Sequence, residues 1–215
     1  AYRKLGADCL QDFDGMFAMA IYDKSKNELF LSRDRAGKKP LYYYADGKRM
    51  MFASELNSIR SQIDVQINEE HLHQYVRMGY FYRSSTCYKN VYELPAGSYA
   101  IVSLNNPEVQ VTRWWDIHQF YASPSKDDFE TALQKVDEML LLAVRRRVES
   151  SDLEVGSFLS GGIDSGLVSA MAKQYNSSLQ TFTVSFYGEY DEAPLAKLVS
   201  ERYQTRHHEI RITFD

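Results

Sequence analysis

Cysteine is scarce in this chain: Cys9 and Cys87 are the two among 215 residues. That is too few for a disulfide framework, and the usage fits a reducing compartment. Long apolar runs are missing as well. The longest, residues 15–22 and 139–144, fall far short of the roughly 20 residues that span a bilayer, and nothing at the start reads as a signal peptide. A membrane partner is not expected, and the expected setting is cytoplasmic. Positive charge is not in excess: 25 Lys and Arg stand against 29 Asp and Glu, a formal net charge of −4, which gives no overall attraction to nucleic acid. No repeat or low-complexity segment occurs. The chain opens on Ala1 rather than Met, and Asp215 follows directly on a strand-like run, so both ends read as cut.

What is present is a hydrophobic content of 44%, enough to bury a core in one large domain or two modest ones. From residue 15 to about 115, short apolar runs alternate with period two between turn residues, which reads as antiparallel sheet. Residues 16–23 and 28–33 form one expected hairpin; residues 41–44 and 50–53 form another around Asp46-Gly47. Asn68 is placed to cap a helix through Met78, with Gly79 to end it. Residues 88–115 return to strands, broken at residues 95–97 and 105–107. The polar stretch 121–127 (YASPSKD) is the most linker-like, so the domains are read as 1–120 and 121–215.

After that linker the period changes. Phe129, Leu133, Val136, Leu140 and Val144 fall three and four apart, one stripe of a helix, and Asp127 with Glu130 suits a capping box. Arg145, Arg146 and Arg147 read as its solvated, dipole-favoured end. Strand 153–159, helix 163–175, strand 179–186, helix 192–203 and strand 207–212 then follow. That β-α-β-α-β order predicts a parallel sheet. Asp191 and Pro194 suit the start of the second of these helices. His207 and His208 point to opposite faces of a strand and do not make a joint metal site.

The loop between the first of these strands and its helix reads SGGIDSG, residues 160–166. A loop leaving a parallel strand for a helix presents free amides at the positive end of the helix dipole, where an anion fits. Gly161 and Gly162 allow positive φ and close approach, Ser160 and Ser165 add hydroxyls, and Asp164 can hold Mg²⁺. The loop lacks both the lysine of a Walker A motif and the spread glycines of a dinucleotide fingerprint. A plain Gly-Gly turn is the bland alternative.

SGGIDSG resembles the pyrophosphate loop of the N-type ATP pyrophosphatases, with Gly166 where a serine is usual. Across the rest of the chain, FDGMFAMAIYD (13–23), LSRDRAGKKPLYYY (31–44), FASELNSI (52–59), ELPAGSY (93–99), RWWDI (113–117), TFTVSF (181–186), YDEAPLAKLVSERYQT (190–205) and HHEI (207–210) resemble the glutamine-hydrolysing asparagine synthetases in their order. The resemblance implies the later part of an Ntn-hydrolase αββα glutaminase sandwich, followed by the start of a doubly wound, parallel-sheet ATP pyrophosphatase domain. It further implies ATP and Mg²⁺ as ligands, glutamine and a carboxylate acceptor such as aspartate as substrates, and allows a homodimer.

By the same resemblance, Ser160, Gly161, Gly162, Asp164 and Ser165 hold the phosphates, with Mg²⁺ on Asp164. Val184 meets adenine through its main chain, and Phe158 or Leu159 lines that pocket. The loss of the serine at Gly166 removes a hydroxyl and leaves an amide. The family's glutaminase nucleophile is the first cysteine of the mature chain. Cys9 and Cys87 are internal, so both read as ordinary thiols, no catalytic residue is assigned, and the chain alone is expected not to hydrolyse glutamine. Arg33-Asp34-Arg35 reads as a hairpin-end ion network and Ser54-Glu55 as structural. The same chemistry on a sugar carboxylate, a ligase like the β-lactam synthetases, and a non-catalytic nucleotide-binding scaffold remain as alternatives.

Overall fold

Period-two alternation in the first half of the chain becomes two antiparallel sheets, and the later change of period becomes a parallel one. The computed structural model describes residues 1–105, 107–186 and 191–213, in two units, Ala1–Pro124 and Ser125–Asp215. The break expected at residues 105–107 includes Asn106, and the YDEAPLAK motif includes Tyr190; these two residues lie outside the described ones.

In chain order the first unit holds α1 (Tyr2–Leu5), a 3-10 segment (Gly6–Asp12), β1 (Ala18–Asp23), β2 (Glu28–Arg33), β3 (Tyr42–Ala45), β4 (Met50–Ala53), α2 (Leu56–Arg60), α3 (Glu69–Met78), β5 (Val91–Glu93), β6 (Ser98–Ser103), β7 (Val109–Arg113) and α4 (His118–Ala122). One sheet runs β1-β2-β6-β7 and the other β4-β3-β5. Their inner faces share a core of Leu31, Leu41, Tyr43, Leu94 and Ala100. Behind the smaller sheet, Ile59 of α2 packs with Tyr44 and Val91. Behind the larger one, the Tyr2 ring lies 4.9 Å from Phe30.

Local signals account for several boundaries. The Asp46 carboxylate accepts from the Lys48 and Arg49 amides at 2.9 and 2.7 Å, and Gly47 supplies the positive φ the hairpin needs. The Asn68 side chain accepts from the His71 amide, and Gly79 ends α3 at φ 78°.

Arg33 and Asp34 form the knot of this unit. The Arg33 guanidinium, 8% exposed, donates to the carbonyls of Lys39, Leu94 and Gly37 at 2.7–2.8 Å and pairs with Glu93 at 2.7 Å. The Asp34 carboxylate accepts from the amides of Phe17, Ala36, Lys38 and Lys39 at 3.0–3.2 Å. The Asp34 carbonyl takes the amides of Gly37 and Gly97. The end of β2, the following loop, the lead into β1 and the turn before β6 are thereby tied together. No titratable chemistry is required of these residues.

The second unit holds α5 (Phe129–Glu149), β8 (Gly156–Phe158), α6 (Ile163–Tyr175), β9 (Gln180–Phe186), α7 (Ala193–Tyr203) and β10 (Arg206–Ile212). The strands are parallel in the order β10-β9-β8. Three expectations are corrected here. Asp128, not Asp127, caps α5 by accepting from the Thr131 amide, while Asp127 pairs with Lys135 at 2.7 Å. The stripe of Phe129, Leu133, Val136 and Leu140 is exposed. α5 packs through its C-terminal half, where Val144, with Leu141 and Val148 beside it, meets Met171, Ala172 and Leu179. The strand expected from residue 153 begins only at Gly156, and Leu153 is exposed. Among the described residues, no helix is long and apolar enough to cross a membrane.

Burial alone would raise the Asp34 carboxyl pKa, but the amides of Lys38, Lys39, Phe17 and Ala36 outweigh it and hold the group below its ordinary value. A depressed carboxyl contributes stability above the unfolded pKa of about 4, and that contribution is lost as pH falls through the folded value. Asp34→Asn is therefore expected to cost about 2–3 kcal/mol at neutral pH and to flatten the acid limb of unfolding free energy against pH. An acid limb of equal depth in both proteins would contradict this reading.

Candidate functional site

At the carboxyl end of β8 the chain turns sharply into α6 through residues 160–162, and Gly161 makes that turn at φ +63°. A Cβ on Gly161 would stand 2.8 Å from the Leu195 Cβ and 2.9 Å from the Glu192 carbonyl oxygen, both at the start of α7. Glycine is required there twice, for its backbone angle and for its missing side chain. Gly162 follows as the N-cap of α6 in an extended conformation.

The amides of Gly161, Gly162, Ile163, Asp164 and Ser165 donate to no acceptor among the described residues. The helical ones are the orphan donors of any helix start, and together with the glycine amides they lie at the positive end of the α6 dipole. The Ser165 hydroxyl is engaged within the loop: it accepts from the Ser160 amide at 3.2 Å, donates to the Gly162 carbonyl at 3.1 Å, and meets the Ser160 hydroxyl at 3.0 Å. Asp164 is exposed in the first turn of α6. Among the described residues no three His, Cys, Asp or Glu side chains gather as a metal-binding group. Asp164 by itself suits a Mg²⁺ that takes most of its ligands from water and phosphate oxygens, the usual way this ion is held beside nucleotides.

The remaining candidates divide between the two faces of the sheet. Phe158 pairs in register with Phe182, and Val184 lies two residues on, so Phe158 and Val184 share a face. That face is open: Phe158 is 84% and Val184 41% exposed. Leu159 lies on the opposite side at 1% exposure, its amide donating to the Phe182 carbonyl and its own carbonyl accepting from the Thr183 hydroxyl. It therefore offers a ligand neither surface nor a polar group. Phe158 or Leu159 was expected to line a pocket with Val184, and of the two Phe158 shares its face.

Two features were not legible in the sequence. The Gly166 amide, read as a remaining donor, is taken up by the Gly162 carbonyl at 3.1 Å. Its missing side chain points at Val199 of α7, whose γ-carbons would lie 3.8 Å from a Cβ. The buried side of β9 is lined by hydroxyls, not by apolar groups. Thr181, Thr183 and Ser185 are all buried, and Thr181 bonds Thr205, which bonds Ser200 of α7. His207 joins this network through Thr181, while the His208 ring stacks on Phe182 on the other face.

Cys9 is buried in the 3-10 segment and Cys87 half-buried, both as free thiols.

Because the space beside Gly166 is ordinary van der Waals distance, Gly166→Ala is expected to stabilise the second unit by about 0.5–1 kcal/mol through helix propensity. Urea unfolding checks this, and a destabilised variant would contradict the contact distances.

Comparison with known proteins bears on both units. The glutamine amidotransferase domain family matches residues 1–115 and the asparagine synthase family residues 135–215. A Methanocaldococcus jannaschii protein provisionally named a glutamine-hydrolysing asparagine synthetase is 37% identical over 213 residues, covering 96% of this chain and 41% of that protein. Asparagine synthetase (glutamine-hydrolysing) 1 of Bacillus subtilis is 32% identical over 198 residues, 91% of this chain and 30% of its own length. The chain thus spans less than half the length of these curated relatives. A solved NH3-dependent NAD synthetase from Campylobacter jejuni aligns over 37% of this chain and 36% of that one at 23% identity, with a TM-score of 0.33, too low to bear on the fold. On the two family matches, the chain belongs to the glutamine amidotransferase family, of the glutamine-hydrolysing asparagine synthetase type, with asparagine synthase sequence in its second unit.

Proposed function

We propose that this protein is an ATP-dependent, glutamine-hydrolysing amidotransferase that converts aspartate, glutamine and ATP to asparagine, glutamate, AMP and diphosphate through an acyl-adenylate. The observation that carries the reading is the row of unengaged amides at residues 161–165, in a loop leaving a parallel strand, within a chain of this family. In this reading the first unit is the later part of an Ntn-hydrolase glutaminase. The second is the start of a doubly wound ATP pyrophosphatase domain.

The amides of residues 161–165 and the Ser160 hydroxyl take the β- and γ-phosphates of ATP. Ser165 exchanges its contacts within the loop for a phosphate oxygen. Asp164 would hold a Mg²⁺ ion, which would supply charge neutralisation for the departing pyrophosphate. Phe158 and the main chain of Val184 receive adenine on the open face. The acceptor carboxylate attacks the α-phosphorus and pyrophosphate leaves; ammonia from glutamine then attacks the acyl carbon and AMP leaves. Catalysis by the loop is positioning and charge stabilisation, with no covalent role for its side chains.

In the full-length protein, Asp164→Ala is expected to abolish pyrophosphate release from ATP in the presence of aspartate while leaving glutamine hydrolysis intact. Pyrophosphate release at the native rate would remove Asp164 from this role. Absence of release by the native protein with aspartate would remove the reading itself.

A further inference from the structure

The phosphate loop does not hold its shape alone. Gly161 lies against the first turn of α7, close enough that an added Cβ would come within 3.3 Å of the Ala196 amide as well as meeting Glu192 and Leu195. What fixes that first turn is therefore what fixes the loop. The N-cap residue of α7, Glu192, makes no side-chain capping bond. The cap is supplied by the preceding residue: one oxygen of the Asp191 carboxylate accepts from the Ala193 amide at 3.1 Å, and the other accepts from the Ser185 hydroxyl at 3.2 Å. Ser185 is fully buried near the carboxyl end of β9, the strand next to β8, and its oxygen also receives Arg211 from β10 at 3.4 Å.

We propose that Asp191 is a positioning residue for the phosphate loop. Its carboxylate clamps the start of α7 to the end of β9, and the clamped turn presses the Gly161 backbone into the conformation that aligns amides 161–165. Asp191 itself touches no phosphate in this account; it acts through α7 and Gly161. The inference rests on the reading of the loop as an ATP phosphate site, and it adds a determinant of affinity from outside the SGGIDSG motif. The geometry restricts its effect. The clamp bears on the loop that meets phosphates, while Phe158 and Val184, assigned to adenine, lie on the other face of the sheet from Ser185.

The test measures ATP, pyrophosphate and adenosine binding to the full chain and to Asp191→Ala, Asp191→Asn and Ser185→Ala. Two hydrogen bonds of modest net strength are lost in Asp191→Ala, so ATP and pyrophosphate are expected to bind about tenfold more weakly, with adenosine unchanged. Asp191→Asn keeps an acceptor for the Ala193 amide and a partner for Ser185, and is expected to bind ATP within about twofold of the native chain. Ser185→Ala, which leaves the cap in place, is expected to lose about threefold and serves if Asp191→Ala does not fold. In the full-length protein the KM for ATP is expected to rise in Asp191→Ala with the KM for glutamine unchanged. Native-like ATP binding in both Asp191→Ala and Ser185→Ala would overturn the proposal. Equal weakening of ATP and adenosine would also overturn it, since that is general loss of structure. If the native chain binds neither ATP nor pyrophosphate, the ATP reading fails first and takes this inference with it.

Discussion

Gly161 sits where no side chain fits, at a backbone angle that L-residues avoid, pressed against the first turn of α7. The second unit depends on that contact. A parallel strand must turn into its crossover helix within a few residues, and the tightness of the turn leaves a row of amides without partners at the mouth. The same approach of α7 that excludes a Cβ at Gly161 brings Val199 beside Gly166 and sets Ala193, Ala196 and Ser200 onto the sheet. Small residues on both sides of the seam let two helices and a loop meet closely, and the row of unpartnered amides is a consequence of that packing.

The first unit is organised by a different principle, charge buried with its full complement of partners. Removing Arg33 and Asp34 from water is costly, and the structure offsets the cost with backbone carbonyls around the guanidinium and backbone amides around the carboxylate. Because these partners come from three separate stretches of chain, Phe17, residues 36–39 and Leu94, the two residues tie the loop after β2 to the lead into β1 and to the segment before β6. Trp114 closes over the same place, its indole N–H donating to the Arg33 carbonyl and Arg35 lying over its ring.

Much of this was legible where one residue type has one physical use. Asn68 and Gly79 bound α3, Asp46-Gly47 made its hairpin, and the alternation of strands and helices after residue 155 gave the parallel order. Legibility failed where a periodic pattern has two solutions. The α5 stripe is a valid helical face, yet of its residues only Val144 is buried, with Leu141 and Val148 beside it, because only the later turns of α5 meet α6. In β9 the apolar Val184 and Phe186 lie on the exposed face. The buried face carries Thr181, Thr183 and Ser185, since hydroxyls paired across β9, α7 and the Leu159 carbonyl satisfy one another. Leu159 shows the same limit: the family resemblance left Phe158 or Leu159 as the residue lining the pocket, and the pleat put the two on opposite faces. The engagement of Ser165 and of the Gly166 amide within the loop depends on three-dimensional closure that no spacing rule reports.

The central claim, that the amides following Ser160 form a cradle for the phosphates of ATP, is tested most directly by titrating pyrophosphate into the ¹⁵N-labelled chain and following backbone amide shifts. The account predicts saturable shifts concentrated at Gly161, Gly162, Ile163, Asp164 and Ser165, with little change at Val184 or in the first unit. Saturable shifts elsewhere, with these five amides unmoved, would contradict it.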